Sequence, residues 1–128
     1  MATEPAGRRS FGAIALALVL PSAAFAAGEE KVFDLDISGG QVPVAQRLIR
    51  VQKEDQVRWR ITSDTAGELH VHGYRLEARV AAGVATDFAF KAFATGRFRL
   101  EWHAAKGSAG AGAGHHGPPL ATLEVRPR

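Results

Sequence analysis

The sequence predicts an all-β fold: a single antiparallel Greek-key β-sandwich of about seven strands. Three observations predict it. Apolar and polar residues alternate with a period of two through most of the chain after about residue 30. Turn residues punctuate that alternation at short intervals, and almost no stretch shows helical spacing. A length of 128 residues, with 46% hydrophobic and 23% charged content, suits one ordinary domain rather than two.

The first 26 residues read as a signal peptide and are set apart from the fold. Arg8 and Arg9 precede an apolar stretch from Phe11 to Leu20, followed by a Pro21/Ser22 break and the small-residue pattern Ala24-Phe25-Ala26. The apolar stretch falls short of the roughly 20 residues that cross a bilayer, so cleavage after Ala26 is preferred to an uncleaved anchor. Arg8-Arg9-Ser10-Phe11 also resembles the core of a twin-arginine export signal. The expected product is one domain over 27–128, periplasmic or secreted and peripheral to a membrane at most.

Within that domain the strands follow in order. Phe33, Leu35 and Ile37 alternate with Asp34 and Asp36 and stop at Ser38-Gly39-Gly40. Ile49 and Val51 alternate with Arg50 and Gln52. After the polar turn Lys53-Glu54-Asp55, Val57, Trp59 and Ile61 alternate with Arg58 and Arg60, which predicts a strand pair around a tight connection. The same period recurs at Leu69/Val71, Phe88/Phe90, Phe98/Leu100/Trp102 and Leu123/Val125. The segment 106–119, KGSAGAGAGHHGPP, has no large apolar group and is expected to be a flexible loop between the last two strands.

The smaller features have ordinary structural readings. Trp59 and Trp102 read as core anchors. Arg58 and Arg60 read as part of a solvated basic sheet face. Ser63-Asp64 reads as a turn whose carboxylate caps nearby amides. Asp64 and Glu68 lie close enough in sequence to His70 to orient its ring.

The chemistry available is narrow. There is no cysteine, so disulfides, thiol catalysis, iron–sulfur clusters and thiolate zinc sites are excluded. A net charge of +3, with no long run of like charge, gives no reason to expect nucleic acid. No GxSxG, HExxH or paired-carboxylate motif is present, and no catalytic activity is expected. The five histidines carry what remains: His70 and His72 in LHVHGY, His103 after Glu101-Trp102, and His115/His116 in the glycine loop. Alternation puts His70 and His72 on one strand face about 6.5–7 Å apart, near enough for two imidazoles to converge on one ion. The final hairpin is expected to bring His103 and His115/His116 to one end of the sheet.

In this order the features resemble the cupredoxin family over about residues 32–125. The matching pieces are VQKEDQVRWRIT, then His72-Gly73-Tyr74-Arg75-Leu76 as a strand opening with a ligand histidine. Gly96-Arg97-Phe98-Arg99-Leu100-Glu101-Trp102-His103 and LATLEV close the set. His-Gly-aromatic is also similar to the copper-bearing domains of respiratory oxidases and nitrous oxide reductases. The chain departs from the family where its thiolate belongs, which is Trp102, and where its axial methionine belongs, near Pro119. A type 1 blue-copper centre needs that sulfur and is excluded. Only His72 matches a family ligand position directly; His103 is offset by one residue, and His115/His116 fall in the loop that usually carries the second histidine.

Two functions stay open at this point. One is a copper(II) site, with zinc second, built from His72 with His70, His103 and one of His115/His116, for metal capture, buffering or delivery to another envelope protein. The other is a metal-free cupredoxin-like module that is structural or binds a partner protein.

Overall fold

The computed structural model describes residues 30–107 and 118–128. Eight strands form two sheets packed face to face. β1 (Glu30–Ile37), β3 (Gln56–Ser63) and β6 (Thr86–Lys91) make a three-stranded sheet in the order β1-β3-β6. β2 (Leu48–Gln52), β4 (Gly67–Val71), β5 (Leu76–Val80), β7 (Gly96–Ala104) and β8 (Ala121–Arg126) make a five-stranded sheet in the order β2-β8-β7-β4-β5. The leader expected over 1–26 and most of the loop expected over 106–119 lie outside the described residues.

The inner faces are the apolar phases of the alternation. Leu35, Ile37, Val57, Trp59, Ile61 and Phe90 from one sheet meet Ile49, Val51, Leu69, Val71, Leu100 and Leu123 from the other, all buried. Trp59 is fully enclosed and has Phe90 edge-on, with ring centroids 4.7 Å apart. Burying each such side chain stabilises the fold by about 1.5–3 kcal/mol, which is how a small domain without cross-links holds together.

Three details differ from the expected sandwich. Two ladders are parallel, β1 with β3 and β2 with β8. The period-two reading passes over an eighth strand, β5, where Leu76, Ala78 and Val80 alternate with Glu77 and Arg79, and the family resemblance starts that strand four residues early, at His72. β2 and β3 follow each other across a tight turn but pair in different sheets.

The turn at Lys53–Asp55 explains the last difference. Lys53 N donates to Arg126 O at 2.8 Å, at the end of β8, while Glu54 N donates to Ala92 O at 2.7 Å, just after β6. The turn is therefore stitched to both sheets and carries the chain from one to the other. Asp55 anchors it from inside: its buried carboxylate accepts from Gln52 N at 2.8 Å and from Arg128 Nη2 at 2.9 Å. A buried carboxylate is tolerable because those donors replace its water.

A second correction concerns His72-Gly73-Tyr74-Arg75, expected to open a strand. These residues form the turn of the β4–β5 hairpin, closed by the Val71–Leu76 pair. Gly73 at φ 84° and Arg75 at φ 52° occupy the left-handed region, which no strand allows. Tyr74 fixes the turn to the core. Its ring is buried, and its hydroxyl donates to Ala94 O at 2.7 Å and accepts from Ala94 N at 3.0 Å.

Candidate metal centre

The outer face of the five-stranded sheet positions the candidate site. Leu69 and Val71 turn inward on β4, so Glu68 and His70 turn outward, with His72 continuing the same phase into the turn. Register then fixes the neighbours: Glu68 lies opposite His103 and His70 opposite Glu101 on β7, while His70 lies opposite Glu77 on β5. Directly opposed residues share a face with Cβ atoms about 4.5–5.5 Å apart. Three imidazoles and three carboxylates from β4, β5 and β7 thus occupy one patch.

Their contacts form a chain across the sheet. His70 Nε2 lies 2.7 Å from Glu68 Oε1, and its Nδ1 lies 3.3 Å from Glu77 Oε1. The His70 and His103 rings meet edge to face with centroids 4.7 Å apart. Glu101 Oε2 faces both His72 Nε2 at 2.9 Å and His103 Nε2 at 3.7 Å. Arg79 Nε holds the other oxygen of Glu68 at 3.3 Å. The hydrogen bond from His72 holds the Glu101 carboxyl below the usual carboxylate range, with the charges of His72, Arg99 and His103 adding to it and partial burial opposing it.

Solvent reaches all three rings. The His72 side chain is 58% exposed, His103 35% and His70 31%. An open depression of about 650 Å³ runs beside Glu68, His70, Arg79, His103 and Lys106. A smaller one of about 200 Å³ lies between His70, His72 and Glu77, so His70 borders both.

One subset has ligand spacing. Glu68, His70 and Glu77 each offer a ligand atom within 4.8 Å of the other two. Cis donors at about 2.0–2.2 Å from a shared ion sit about 3–3.5 Å apart, so an ion would have to draw these three ligand atoms closer together than they stand here. Both His70 nitrogens face carboxylates, Glu68 on one side and Glu77 on the other.

Of the five histidines singled out in the sequence, the structure thus brings His70, His72 and His103 onto one face. His103 lies within β7, next to its last residue. His115 and His116 lie outside the described residues. Glu77 and Glu101 were missed as site residues, since their relevance depends on strand pairing. Glu68 does meet His70 as anticipated; Asp64 instead accepts from Gly39 N at 2.9 Å. Trp102 faces inward, lying over Gly67 and packed against the core.

No protein-family model matches the sequence, and no curated protein is similar to it at a significant level. Solved structures are similar in three dimensions. A copper binding protein in its apo form superposes with a TM-score of 0.55 over 77% of this chain and 90% of its own, at 13% identity. Blue copper oxidase from Nitrosomonas europaea superposes at 0.55 over 78% of this chain, at 20% identity. The fold is cupredoxin-like. A heme-copper terminal oxidase dimer gives 0.56 over 75% of this chain, at 17% identity. This cupredoxin-like chain spans 65% of the terminal-oxidase chain and 40% of the blue copper oxidase. Among the described residues, no helix is long and apolar enough to cross a membrane.

Proposed function

We propose that the protein binds copper(II), with zinc as the weaker alternative, on the outer face of its five-stranded sheet. Its role is metal capture, buffering or delivery outside the cytoplasm, and not catalysis. The observation that carries this reading is the group Glu68, His70 and Glu77, with ligand atoms within 4.8 Å of one another. Imidazole and carboxylate suit Cu(II), which leads the divalent affinity order at nitrogen and oxygen sites. His72 and His103 flank the group through Glu101. The solved copper binding protein of similar fold supports a metal role for a domain of this size. The leader motif around Arg8, Arg9 and Ala24-Phe25-Ala26 supports a periplasmic or secreted location.

A metal-free interaction module is the second reading, favoured by the carboxylates that already face each described imidazole. Calorimetric and electron paramagnetic resonance titration with Cu(II) near neutral pH separates the two. The copper reading expects one equivalent bound with nitrogen ligation, lost in His70→Ala. Loss only on deletion of residues 106–118 relocates the site to His115/His116. Indifference to both copper and zinc leaves the metal-free module.

A further inference from the structure

We propose that the outer-face site is selective for the oxidised ion, holding copper as Cu(II) and releasing it on reduction to Cu(I). This rests on the copper reading above and adds a direction to it: loading is oxidative and unloading is reductive.

Donor chemistry is the first ground. Cu(I) is a soft ion that thiolates and thioethers retain, whereas carboxylate and imidazole are harder donors. The whole chain has no cysteine and one methionine, Met1, ahead of the predicted cleavage point. No sulfur exists anywhere in 27–128 to hold the reduced ion.

Charge is the second. Glu68 and Glu77 place two carboxylates around His70, and Glu101 adds a third nearby, opposite His70 on β7. Two carboxylates neutralise a dication and over-neutralise a monocation, so the local field favours Cu(II).

Geometry is the third. Cu(I) without sulfur can be held by two imidazoles in line. With metal–nitrogen bonds of about 2.0 Å, that arrangement sets ring centroids roughly 6 Å apart on opposite sides of the ion. His70 and His103 meet edge to face with centroids 4.7 Å apart, short of that separation. β4 and β7 hold the two positions in register, Glu68 against His103 and His70 against Glu101, so a linear pair would require both rings to turn out of their edge-to-face contact.

The step balances with one external electron. A one-electron reductant of the ascorbate class converts bound Cu(II) to Cu(I). The ion leaves to a soft acceptor, and the His70 nitrogen keeps the lone pair with which it held the ion. Zinc(II) has no accessible reduced state and stays in place.

The test loads the full chain with one equivalent of Cu(II), then adds ascorbate anaerobically with a chromogenic Cu(I) chelator. Zn(II)-loaded protein is treated identically. The expected result is loss of the Cu(II) resonance, transfer of the bound copper to the chelator, reloading after chelator removal and reoxidation, and no loss of zinc. Copper that is reduced yet still elutes with the protein overturns the proposal, and so does zinc release on adding ascorbate. Failure to take up Cu(II) before any reductant is added sinks the copper reading itself, and this inference with it.

Discussion

The outer face of the five-stranded sheet carries two charge networks of similar plan and different chemistry. On β2, β8 and β7, Glu124 is ringed by arginines: Arg126 Nε at 2.6 Å, Arg97 Nη2 at 3.1 Å and Arg50 Nε at 3.9 Å. On β7, β4 and β5, three glutamates are paired with His70, His72 and His103. Both networks place carboxylates at the centre of a sheet face and cross-strand cations around them. The difference lies in the cations. Guanidinium is charged at every accessible pH and has no lone pair to offer, so the arginine network is closed. Imidazole can exchange its proton for a metal ion, so the histidine network is open to one.

The largest expected effect breaks that contrast directly. His70→Ala should weaken Cu(II) binding by more than the roughly 10–100-fold that losing an outer partner of a ligand costs. Arg97→Ala should leave calorimetric affinity unchanged. Equal effects would mean that bound copper responds to overall charge and not to the imidazoles.

Next in size is Gly67→Ala. A Cβ at this position would press on the Trp102 ring and lie 2.6 Å from His103 O, on the strand that carries His103. Overpacking of this kind costs about 1–3 kcal/mol, read by urea denaturation, and should also shift the His103 ring resonances. Stability unchanged from the parent would show that the β4–β7 contact is slack and the site poorly fixed.

A smaller effect is expected from Arg97→Ala on stability. The Arg97 side chain is 73% exposed, and exposed ion pairs contribute about 0–1 kcal/mol. A larger loss would show that the arginine network is an integral part of the core wall.

The smallest is a pH effect. Arg126 first, then Arg97, holds Glu124 below its ordinary value of 4.5. A depressed folded-state value means that this contribution is fully present above the unfolded value and disappears as pH falls through the folded one. Thermal melts between neutral pH and about 4.5 should therefore show no loss from this network, with loss only under stronger acid. Copper binding is also expected to weaken as pH falls, because protons compete with the metal for imidazole nitrogen, and comparing the two pH responses restates the contrast as a titration.

Much of this was legible in the chain because a β period of two assigns each residue to a face. It put His70 and His72 on one face, Trp59 inward and the turn at Lys53–Asp55, all as found. Faces are not partners, however. Nothing local signals that Leu48 pairs with Thr122 or that His70 lies opposite both Glu77 and Glu101. The carboxylate half of the candidate site arises from that lateral register, which is why Glu77 and Glu101 escaped a reading that moved along one strand at a time. The β4–β5 turn escaped for a different reason. Gly73 alone suggested a break, but the left-handed Arg75 depends on Tyr74 being drawn into the core.

The parallel β2–β8 ladder has a consequence for how the chain comes to be folded. A polypeptide delivered from its amino end presents β2 long before β8 exists to receive it, because the partner of Leu48 is Thr122 near the far end. Until then β2 is an orphan edge with Ile49 and Val51 bare to water, an adhesive segment of the kind that chaperones screen. The slow, late closure expected of such distant pairing makes the docking of β8 between β2 and β7 the event that completes the five-stranded sheet.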